Sequence, residues 1–467
     1  MKVEVRDQIC GDGKTTDVLN EIKDKFKNGC EDKYVFITPY LSECHDIAGT
    51  KPIEDDEYQR PIRDDDGSVK YFPNERNLSE LRFKHPSFNN KEGSKAASLR
   101  FLMSNRNNIV STHSLFTNIK LDTLLNAEDY TLIVDEALDI FSVCDLLPRK
   151  ETNKLLKKDV LTLREDGQTL KFDRKFFGNP EKYTDEDAVK DTRYEEVAVL
   201  CDNHQLLLVN GNVLLWELSA ELLKKFKKVI ILTYLFEGRE MSVYLKKHNI
   251  PYSIKKGSKG GKDVAHLIDL VEDSKLNSIG DDYYALSSTK TKKPKMSDVA
   301  PVREDFDNYQ DYIKEKSIFD NQTKANNKKL LSVTEVNDVL RKNLKNVMEN
   351  LWAAKSADRY FTCLSSNMAK IANKRYNKNW IAFSTKAVNN LSHTHHVAFL
   401  MNVFMMPYIK EVCNNGKFSV DEDLVSLSHL VQFIFRSALR NGEPIKLYIP
   451  SSRMRNLLKD YLEGKYD

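Results

Sequence analysis

The sequence predicts an α/β protein built from parallel sheets that are flanked by helices, and two observations support this prediction. First, short apolar runs without alternation recur in the first third of the chain, at residues 34–37, 108–110 and 131–134, and polar or small residues follow each run. Such runs are typical of strands buried on both faces. Second, the glycine-containing stretch 10–16 leads directly into a helical pattern. Because ligands bind at the carboxyl ends of strands in such sheets, we expect functional residues after each run.

Composition restricts the class of protein further. With 467 residues, 40% of them hydrophobic and 30% charged, the chain is typical of a globular protein with two or three domains. No apolar run approaches the ~18 residues of a membrane span, and the N-terminus lacks the apolar core of a signal peptide, so we expect a cytoplasmic protein. The seven cysteines form no C-x-x-C pair, which favours reduced thiols. A net charge of +3 neither indicates nor excludes a nucleic-acid partner.

The stretch Cys10-Gly11-Asp12-Gly13-Lys14-Thr15-Thr16 has the residue types of a nucleotide phosphate loop. Glycines let backbone N–H groups curl around phosphates, a lysine reaches the β- and γ-phosphates, and a hydroxyl at the start of the next helix holds Mg²⁺. One position departs from the usual pattern, because Gln8 stands where the first glycine is expected. An accidental glycine-rich turn is the alternative. The predicted ATP-binding residues are Gly11, Gly13, Lys14, Thr15 and Thr16.

Asp135-Glu136 follows the third apolar run and completes the predicted site. An acid directly after a buried strand can hold Mg²⁺, and a neighbouring glutamate can orient or deprotonate the attacking water. We therefore predict Thr15 and Asp135 at the metal and Glu136 at the water. The alternative is a strand-end aspartate that caps a helix beside a solvated glutamate. Together with the phosphate loop, the pair makes ATP hydrolysis with Mg²⁺ the leading hypothesis.

The remaining sequence suggests how the domains are arranged. We expect a first domain at residues 1–250, a charged linker at 251–330 and a second domain at 331–467, with insertions in the first domain near 51–97 and 146–215. The first insertion carries clustered acids, which favour a solvated loop over a nuclease metal site. The second contains two apolar runs joined by Asn-Gly, which predict a β-hairpin. The linker is rich in lysine, serine and asparagine.

The last third begins with a helical pattern of apolar residues and ends in a candidate arginine site. Gln432, Arg436 and Arg440 recur at i, i+4 and i+8, so a continuous helix would project all three along one side. An arginine that reaches a γ-phosphate stabilises transition-state charge. An exposed basic helix face is the alternative. The histidine tract 393–396 lacks partners at the spacing of a zinc site, so we predict no zinc.

The order of these motifs resembles that of superfamily-2, DEAD/DEAH-like helicases, which have two RecA-like P-loop domains. More narrowly, together with residues 447–455 it is similar to helicase-like proteins encoded by bacteriophages. The matching segments are Gly11-Asp12-Gly13-Lys14-Thr15 (motif I), Thr38-Pro39 (motif Ia), Ser111-Thr112-His113 (the next nucleic-acid-contacting motif), Asp135-Glu136-Ala137 (motif II), Leu232-Thr233-Tyr234 (the coupling motif) and Gln432 to Arg440 (motif VI).

The resemblance implies roles for further residues. Thr233 and Tyr234 would couple hydrolysis to movement, and the predicted nucleic-acid contacts are Thr38, Pro39, Thr112, His113, Thr385 and Lys386. The expected partner is nucleic acid, most of all single-stranded DNA, and the expected state is a monomer or weak oligomer. Two positions depart from the usual motifs, since Phe435 replaces a glycine and Tyr234 a small residue.

The sequence therefore predicts an ATP-dependent nucleic-acid translocase, with helicase activity, that serves phage DNA replication, recombination or repair. Two alternatives stay open. One is a packaging-type motor with a nuclease module, although residues 421–423 precede a helix and not a strand end. The other is an ATP-gated binding protein that never unwinds.

Overall fold

The structure is a computed structural model of the whole chain. Within the described residues, no helix is both long enough and apolar enough to cross a membrane. Thr385, Lys386, most of the acidic insertion and most of the predicted linker lie outside the described residues. The description covers all residues except 1, 10, 53–61, 64, 66–69, 74–80, 89–92, 139, 179–191, 274, 278–309, 311–312, 315, 317–332, 384–390, 417 and 467.

The chain divides into two units. The first unit comprises residues 1–260 and 404–428, and the second comprises 261–403 and 429–467. The sequence prediction assigned residues 404–428 to the second domain, and the structure differs at this point. The physical reason is burial, because Ile409, Val412 and Cys413 pack into the main hydrophobic core of the first unit.

The first unit is built on a seven-stranded parallel sheet of order β14-β1-β13-β7-β2-β6-β5, with smaller antiparallel pairs beside it. Its strands are β1 Lys2–Asp7, β2 Lys33–Thr38, β3 Thr50–Pro52, β4 Tyr71–Pro73, β5 Phe83–Lys84, β6 Asn108–Thr112, β7 Tyr130–Asp135, β8 Phe141–Val143, β9 Leu161–Leu163, β10 Leu170–Phe172, β11 Leu206–Val209, β12 Val213–Glu217, β13 Lys228–Thr233 and β14 Tyr252–Lys256.

The described helices of this unit pack on the large sheet or on the smaller sheets beside it. They are α1 Lys14–Lys27, α2 Leu41–Ala48, α3 Lys95–Ser104, α4 His113–Thr117, α5 Arg149–Lys157, α6 Thr192–Asp202, α7 Ala220–Lys224 and α8 Glu240–Lys247. The predicted apolar runs coincide with β2, β6 and β7. Alternate side chains of β2 lie on opposite faces of the sheet. Val35 and Ile37 belong to one hydrophobic cluster, and Tyr34 and Phe36 belong to another. Burial on both faces explains why these strands lack an alternating pattern.

The second insertion forms its own small core. β11 and β12 pair antiparallel, and Asn210 and Gly211 at the turn have φ angles of 50° and 71°. Three residues, 210–212, connect the paired ends Val209 and Val213, so the predicted hairpin is confirmed with a three-residue loop. β12 also pairs with β8, which ties the hairpin to the segment that follows β7.

The second unit contains a four-stranded parallel sheet of order β15-β18-β17-β16. Its elements are β15 Ile268–Leu270, β16 Arg359–Thr362, β17 His396–Phe399, β18 Ile445–Tyr448, α9 Gly261–Val264, α10 Val333–Lys345, α11 Met368–Ala372 and α14 Ser452–Leu462. Two further helices are α12 Pro407–Asn415 in the first unit and α13 Glu422–Ile434, which runs through the boundary at residue 428. Parallel sheets in both units confirm the predicted fold class, two RecA-like α/β domains.

The close approach of α13 to Gly238 yields a stability prediction. A Cβ built at Gly238 would lie 2.5 Å from the carbonyl oxygen of Leu424, and the Ser428 hydroxyl donates to the Gly238 carbonyl at 3.2 Å. We expect Gly238→Ala to lower the free energy of unfolding by about 1–3 kcal/mol, because backbone must move to relieve this overlap. Denaturant unfolding of the full chain measures it.

Gly29→Ala is the matched control, since Gly29 has a φ of 76° but open space around its Cβ position. Its cost should be limited to backbone strain of about 1 kcal/mol. Equal losses in the two variants would contradict the packing of residues 404–428 described above.

Candidate nucleotide and magnesium site

The phosphate loop lies between β1 and α1 and has the backbone conformation that its glycines predict. Gly11 and Gly13 have φ angles of 89° and 80°, in the left-handed region that favours glycine. Gly13 is the N-cap of α1, and no side chain caps the helix there. The N–H groups of the first turn are therefore open to a ligand, and the helix dipole favours an anion at this end. These features fit the phosphates of a nucleotide.

Thr15 and Asp135 are 120 residues apart in sequence and in direct contact in the fold. The Thr15 hydroxyl lies 3.1 Å from Oδ1 and 2.9 Å from Oδ2 of Asp135. β13 lies between β1 and β7, and the three strands are parallel, so the carboxyl ends of β1 and β7 lie on the same side of the sheet. A hydroxyl and a carboxylate are hard oxygen ligands, the kind that Mg²⁺ prefers. The two predicted metal ligands are thus brought together.

Burial dominates the electrostatics of Asp135. It raises the pKa of the carboxyl to about 7, although the hydrogen bond from Thr15 and the charge of Lys14 act in the opposite direction. The ring of His113 lies 2.8 Å from the backbone carbonyl oxygen of Asp135 through Nε2. A cation bound at the carboxylate would favour its ionised form, so metal binding near neutral pH releases a proton.

Lys14 is held by the residue that departs from the usual motif. Its ammonium donates to the backbone carbonyl of Gln8 at 3.3 Å, and the Gln8 N–H donates to the carbonyl of Thr233 at 3.0 Å. Both contacts of Gln8 use the main chain, which any residue type supplies. The space beside it is tight, because a Cβ at Gly257 would lie 3.0 Å from the Gln8 side chain. The replacement of the usual glycine by Gln8 is therefore compatible with the hydrogen bond that holds the Lys14 ammonium.

Glu136 occupies a strained position directly after β7. Its φ is 61°, unusual for a residue with a side chain, and its N–H donates to the carbonyl of Leu232 at 3.0 Å. Among the described residues, its Oε2 atom is buried and has no hydrogen-bond partner. Strain and an unsatisfied carboxylate oxygen cost stability and occur together at functional sites. Both observations fit a residue whose partner is a substrate water.

Lys259 is a neighbour of the phosphate loop that the sequence prediction missed. Its ammonium lies 2.8 Å from Oδ1 of Asp12. The lysine-rich segment around Lys259 is predicted from the sequence to be a solvated linker. In the structure, β14 pairs with β1 and brings the loop that follows β14 beside the phosphate loop. The apolar start of β14 is too short to be recognised as a strand among so many lysines.

The predicted nucleic-acid contacts in the first unit lie in different environments. Thr38 is fully buried and hydrogen-bonded to Glu43, so it is not open to solvent. Thr112 caps α4, where its hydroxyl accepts the N–H of Leu115 at 3.2 Å. His113 is buried beneath Asp135, whereas Pro39 is partly exposed. The role of these residues in strand binding stays a prediction, and the buried positions do not favour it for Thr38 and His113.

The two predicted coupling residues end β13 inside the same unit. Thr233 and Tyr234 are both buried. The Thr233 carbonyl accepts the N–H of Gln8, and the Tyr234 carbonyl accepts a hydrogen bond from Arg239 at 3.3 Å. Thr233 therefore contacts the strand end that carries the phosphate loop, as a coupling residue requires, but coupling itself stays a prediction.

The helix predicted to align Gln432, Arg436 and Arg440 ends before the second of them, so this expectation is wrong. α13 stops at Ile434, and residues 438–441 form a separate 3-10 turn. The Ser437 hydroxyl donates to the Ile434 carbonyl at 2.6 Å, and the Ala438 N–H donates to Thr394 outside the helix. These bonds turn the chain away from the helix axis.

The two arginines consequently have different surroundings. Arg436 is 5% exposed, and its guanidinium donates to the carbonyls of Ala382 at 3.2 Å and Phe383 at 3.0 Å. Arg440 is exposed. The γ-phosphate role of either residue stays a prediction.

The histidine tract of the second unit forms an ion-pair cluster. Asp358 accepts from Nδ1 of His395 at 3.0 Å and from Nδ1 of His396 at 3.1 Å, and Glu443 lies 3.0 Å from Nε2 of His395. Burial alone would lower the pKa of His395, but the hydrogen bonds to Asp358 and Glu443 raise it. Both ring nitrogens of His395 thus contact carboxylates.

Comparison with known proteins shows similarity to a family, to a relative and to a solved structure. Residues 320–462 match the family described as the YonV C-terminal Rossmann-like domain, and β16, β17 and β18 fall within this match. The whole chain is 27% identical over 486 residues to the SPbeta prophage-derived uncharacterized protein YonV of Bacillus subtilis (strain 168), with 99% of each chain covered. It is also similar to the Hef helicase domain of Pyrococcus furiosus, with 11% identity and a TM-score of 0.32 over 99% of this chain and 95% of that one. A TM-score this low carries no argument about function.

The raised pKa of Asp135 predicts a pH-dependent effect of Asp135→Asn on stability. The unfolded chain ionises this carboxyl near 3.8 and the folded protein near 7, so the folded state loses stability as the pH rises between these values. The asparagine variant has no such loss. We expect the difference in melting temperature, variant minus wild type, to increase by several degrees from about pH 5 to about pH 8, measured without metal or nucleotide.

Asp24→Asn, at an exposed position of α1, is the control. A gain for Asp135→Asn that does not depend on pH would contradict the burial of a carboxyl with this raised pKa.

Proposed function

We propose that the chain is an ATP-dependent nucleic-acid translocase with helicase activity. The observation that carries the proposal is the contact of the Thr15 hydroxyl with both carboxylate oxygens of Asp135 at 3.1 and 2.9 Å. A glycine turn at an uncapped helix N-terminus and a strand-end acid are common in isolation. Joined at hydrogen-bond distance, they form the phosphate and metal halves of one nucleotide site.

Each residue of the site has a defined task in this proposal. The N–H groups around Gly11 and Gly13, together with Thr16, cradle phosphate oxygens, and Lys14 exchanges the Gln8 carbonyl for a phosphate. Thr15 and Asp135 hold Mg²⁺, which supplies charge that polarises the phosphates. Glu136 accepts a proton from the attacking water.

Other residues would stabilise the transition-state charge and couple hydrolysis to movement. We propose that Gln432 and either Arg436 or Arg440 contact the γ-phosphate, and that Thr233 and Tyr234 transmit its loss. Thr112 and Pro39 are the proposed strand contacts of the first unit, and Thr385 and Lys386 those of the second. The nucleic acid, single-stranded DNA above all, would be held mainly by its backbone, so binding should weaken with salt.

We propose that this activity serves phage DNA replication, recombination or repair in the cytoplasm of a bacterial host, and the prophage origin of the relative supports the phage context alone. A second function is favoured by one observation. Because the Arg436 guanidinium already binds the carbonyls of Ala382 and Phe383, a protein that binds nucleic acid or another protein under control of ATP, without unwinding, also fits.

Steady-state ATP hydrolysis in the presence of Mg²⁺ tests the nucleotide site. Lys14→Ala should lower the rate to background because it removes the cation that reaches the phosphates. Lys27→Ala, an exposed lysine at the end of the same helix, should leave the rate unchanged. ATP hydrolysis that persists in the Lys14→Ala variant would contradict the proposed nucleotide site.

Glu136→Gln tests the assignment of the water-activating residue. The variant should bind ATP as the wild type does and hydrolyse it at least about 10²-fold more slowly, because an amide cannot accept the proton. Equilibrium binding of a fluorescent ATP analogue and single-turnover hydrolysis separate the two effects. A parallel loss of binding would assign Glu136 to structure and not to the reaction.

Nucleic-acid stimulation and strand displacement distinguish the two functions. For a translocase, single-stranded DNA, duplex DNA or RNA should raise the ATPase rate, and a partial duplex should be unwound only with hydrolysable ATP. ATP-dependent binding without displacement would favour the second function.

A further inference from the structure

The first unit contains a groove away from the phosphate loop. It has a volume of about 460 Å³ and is lined by the loop 117–122 after α4, the end of α6, β12 and the start of α7. Trp216 of β12 is a half-buried side chain in its wall. A second cleft of about 500 Å³ adjoins the groove, because Asn203 and Ser219 line both. The groove and the cleft are therefore neighbours in the first unit.

Five polar side chains of the groove have no partners within the described part of the chain, whereas Thr117, Asn118 and Asp122 contact neighbouring residues. The five groups are the indole N–H of Trp216, the amides of Asn203 and Gln205, the hydroxyl of Ser219 and the ammonium of Lys120. An aromatic face beside two unpaired amides offers stacking area together with donors and acceptors. Ligand sites combine an apolar surface with a few convergent polar groups in this way.

The charge of the rim favours an anion. The guanidinium of Arg100 donates to the backbone carbonyl of Asp122 at 2.8 Å, and the ammonium of Lys225 donates to that of Leu121 at 2.8 Å. Lys120 lies on the same loop, and Asp122 is the one acid among these residues. Arg100 also lies 3.8 Å from the Asp122 carboxylate, which offsets its charge, so the excess of positive charge beside the aromatic wall comes from Lys120 and Lys225.

We propose that this groove binds a nucleobase together with its phosphate. The base stacks on the Trp216 ring, the amides of Asn203 and Gln205 read its edge, and Lys120 contacts the phosphate. Aromatic stacking with amide hydrogen bonds is the usual recognition of an unstacked base. The ligand is either one nucleotide of a single strand or a free mononucleotide. The inference goes beyond the proposed ATPase and requires no hydrolysis.

The experiment measures binding in full-length protein that carries Lys14→Ala, so that the phosphate loop does not contribute. Fluorescence anisotropy follows a short labelled single-stranded oligonucleotide, and a fluorescent AMP analogue is titrated separately. Trp216→Ala should weaken the ligand that binds by roughly 5- to 150-fold, the range for loss of one stacked base. Trp216→Phe keeps an aromatic face and should recover most of the affinity. Phe101→Ala, an exposed aromatic of α3, is the matched control.

Three further variants preserve the test if Trp216→Ala fails to fold. Asn203→Ala and Gln205→Ala should each weaken binding severalfold, and Lys120→Ala should reduce its salt dependence, whereas Lys171→Ala, an exposed lysine of β10 outside the groove, should not.

The outcomes separate the two sources of the base. Binding of the oligonucleotide alone assigns the groove to a strand, and binding of the mononucleotide alone assigns it to a free nucleotide, provided that the groove variants lose it. Binding of neither, or equal binding by all groove variants and the controls, would overturn the proposal. Loss of ATPase activity has no bearing on this result, because no ATP is present.

Discussion

The contact between Thr15 and Asp135 depends on the position of one strand, β13. Parallel neighbours are about 4.8 Å apart, so one intervening strand separates β1 from β7 by about 10 Å at the edge where both end. Main-chain bonds continue past the strand ends, from Gln8 to Thr233 and from Glu136 to Leu232. These bonds fix the phosphate loop and the acidic pair on opposite sides of β13. The left-handed turn at Gly13 then directs α1 so that the Thr15 hydroxyl reaches the carboxylate.

This arrangement concentrates unfavourable electrostatics at one place. Asp135 is almost fully buried with one hydroxyl as its carboxylate partner, and Glu136 keeps an unsatisfied oxygen and a left-handed backbone. Asp7 at the end of β1 is half-buried, and this burial raises the pKa of its carboxyl despite hydrogen bonds from the backbone of Phe236 and Leu235. A packed apolar edge would be more stable. These acids end β1 and β7, which lie on either side of β13, and a cationic ligand there would offset the cost of burying them.

The sequence allowed the parts of the structure with strong local signals to be predicted. Buried strands lack alternation, an Asn-Gly pair specifies its own turn, and the phosphate loop and Asp135 follow from residue types at fixed places relative to strands. Tertiary bonds decided the rest. The local sequence does not indicate that the hydrogen bonds of Ser437 and Thr394 end α13 at Ile434. A prediction from apolar periodicity alone therefore makes this helix too long. Lys259 reaches Asp12 through the pairing of β14 with β1, a contact between distant segments that a lysine-rich pattern obscures.

The short helix α4 connects the nucleotide site to the groove in the same unit. Its first residue, His113, contacts the backbone carbonyl of Asp135, and its last residue, Thr117, begins the loop that lines the groove. The Thr117 hydroxyl donates back to the His113 carbonyl at 3.1 Å, which bonds the last residue of the helix to its first. A single helix of five residues therefore joins the contact at Asp135 to the loop of the groove. Ligation of Asp135 would change the affinity for a base on Trp216 only through a displacement of α4, because this helix is the element that contacts the Asp135 carbonyl at one end and lines the groove at the other.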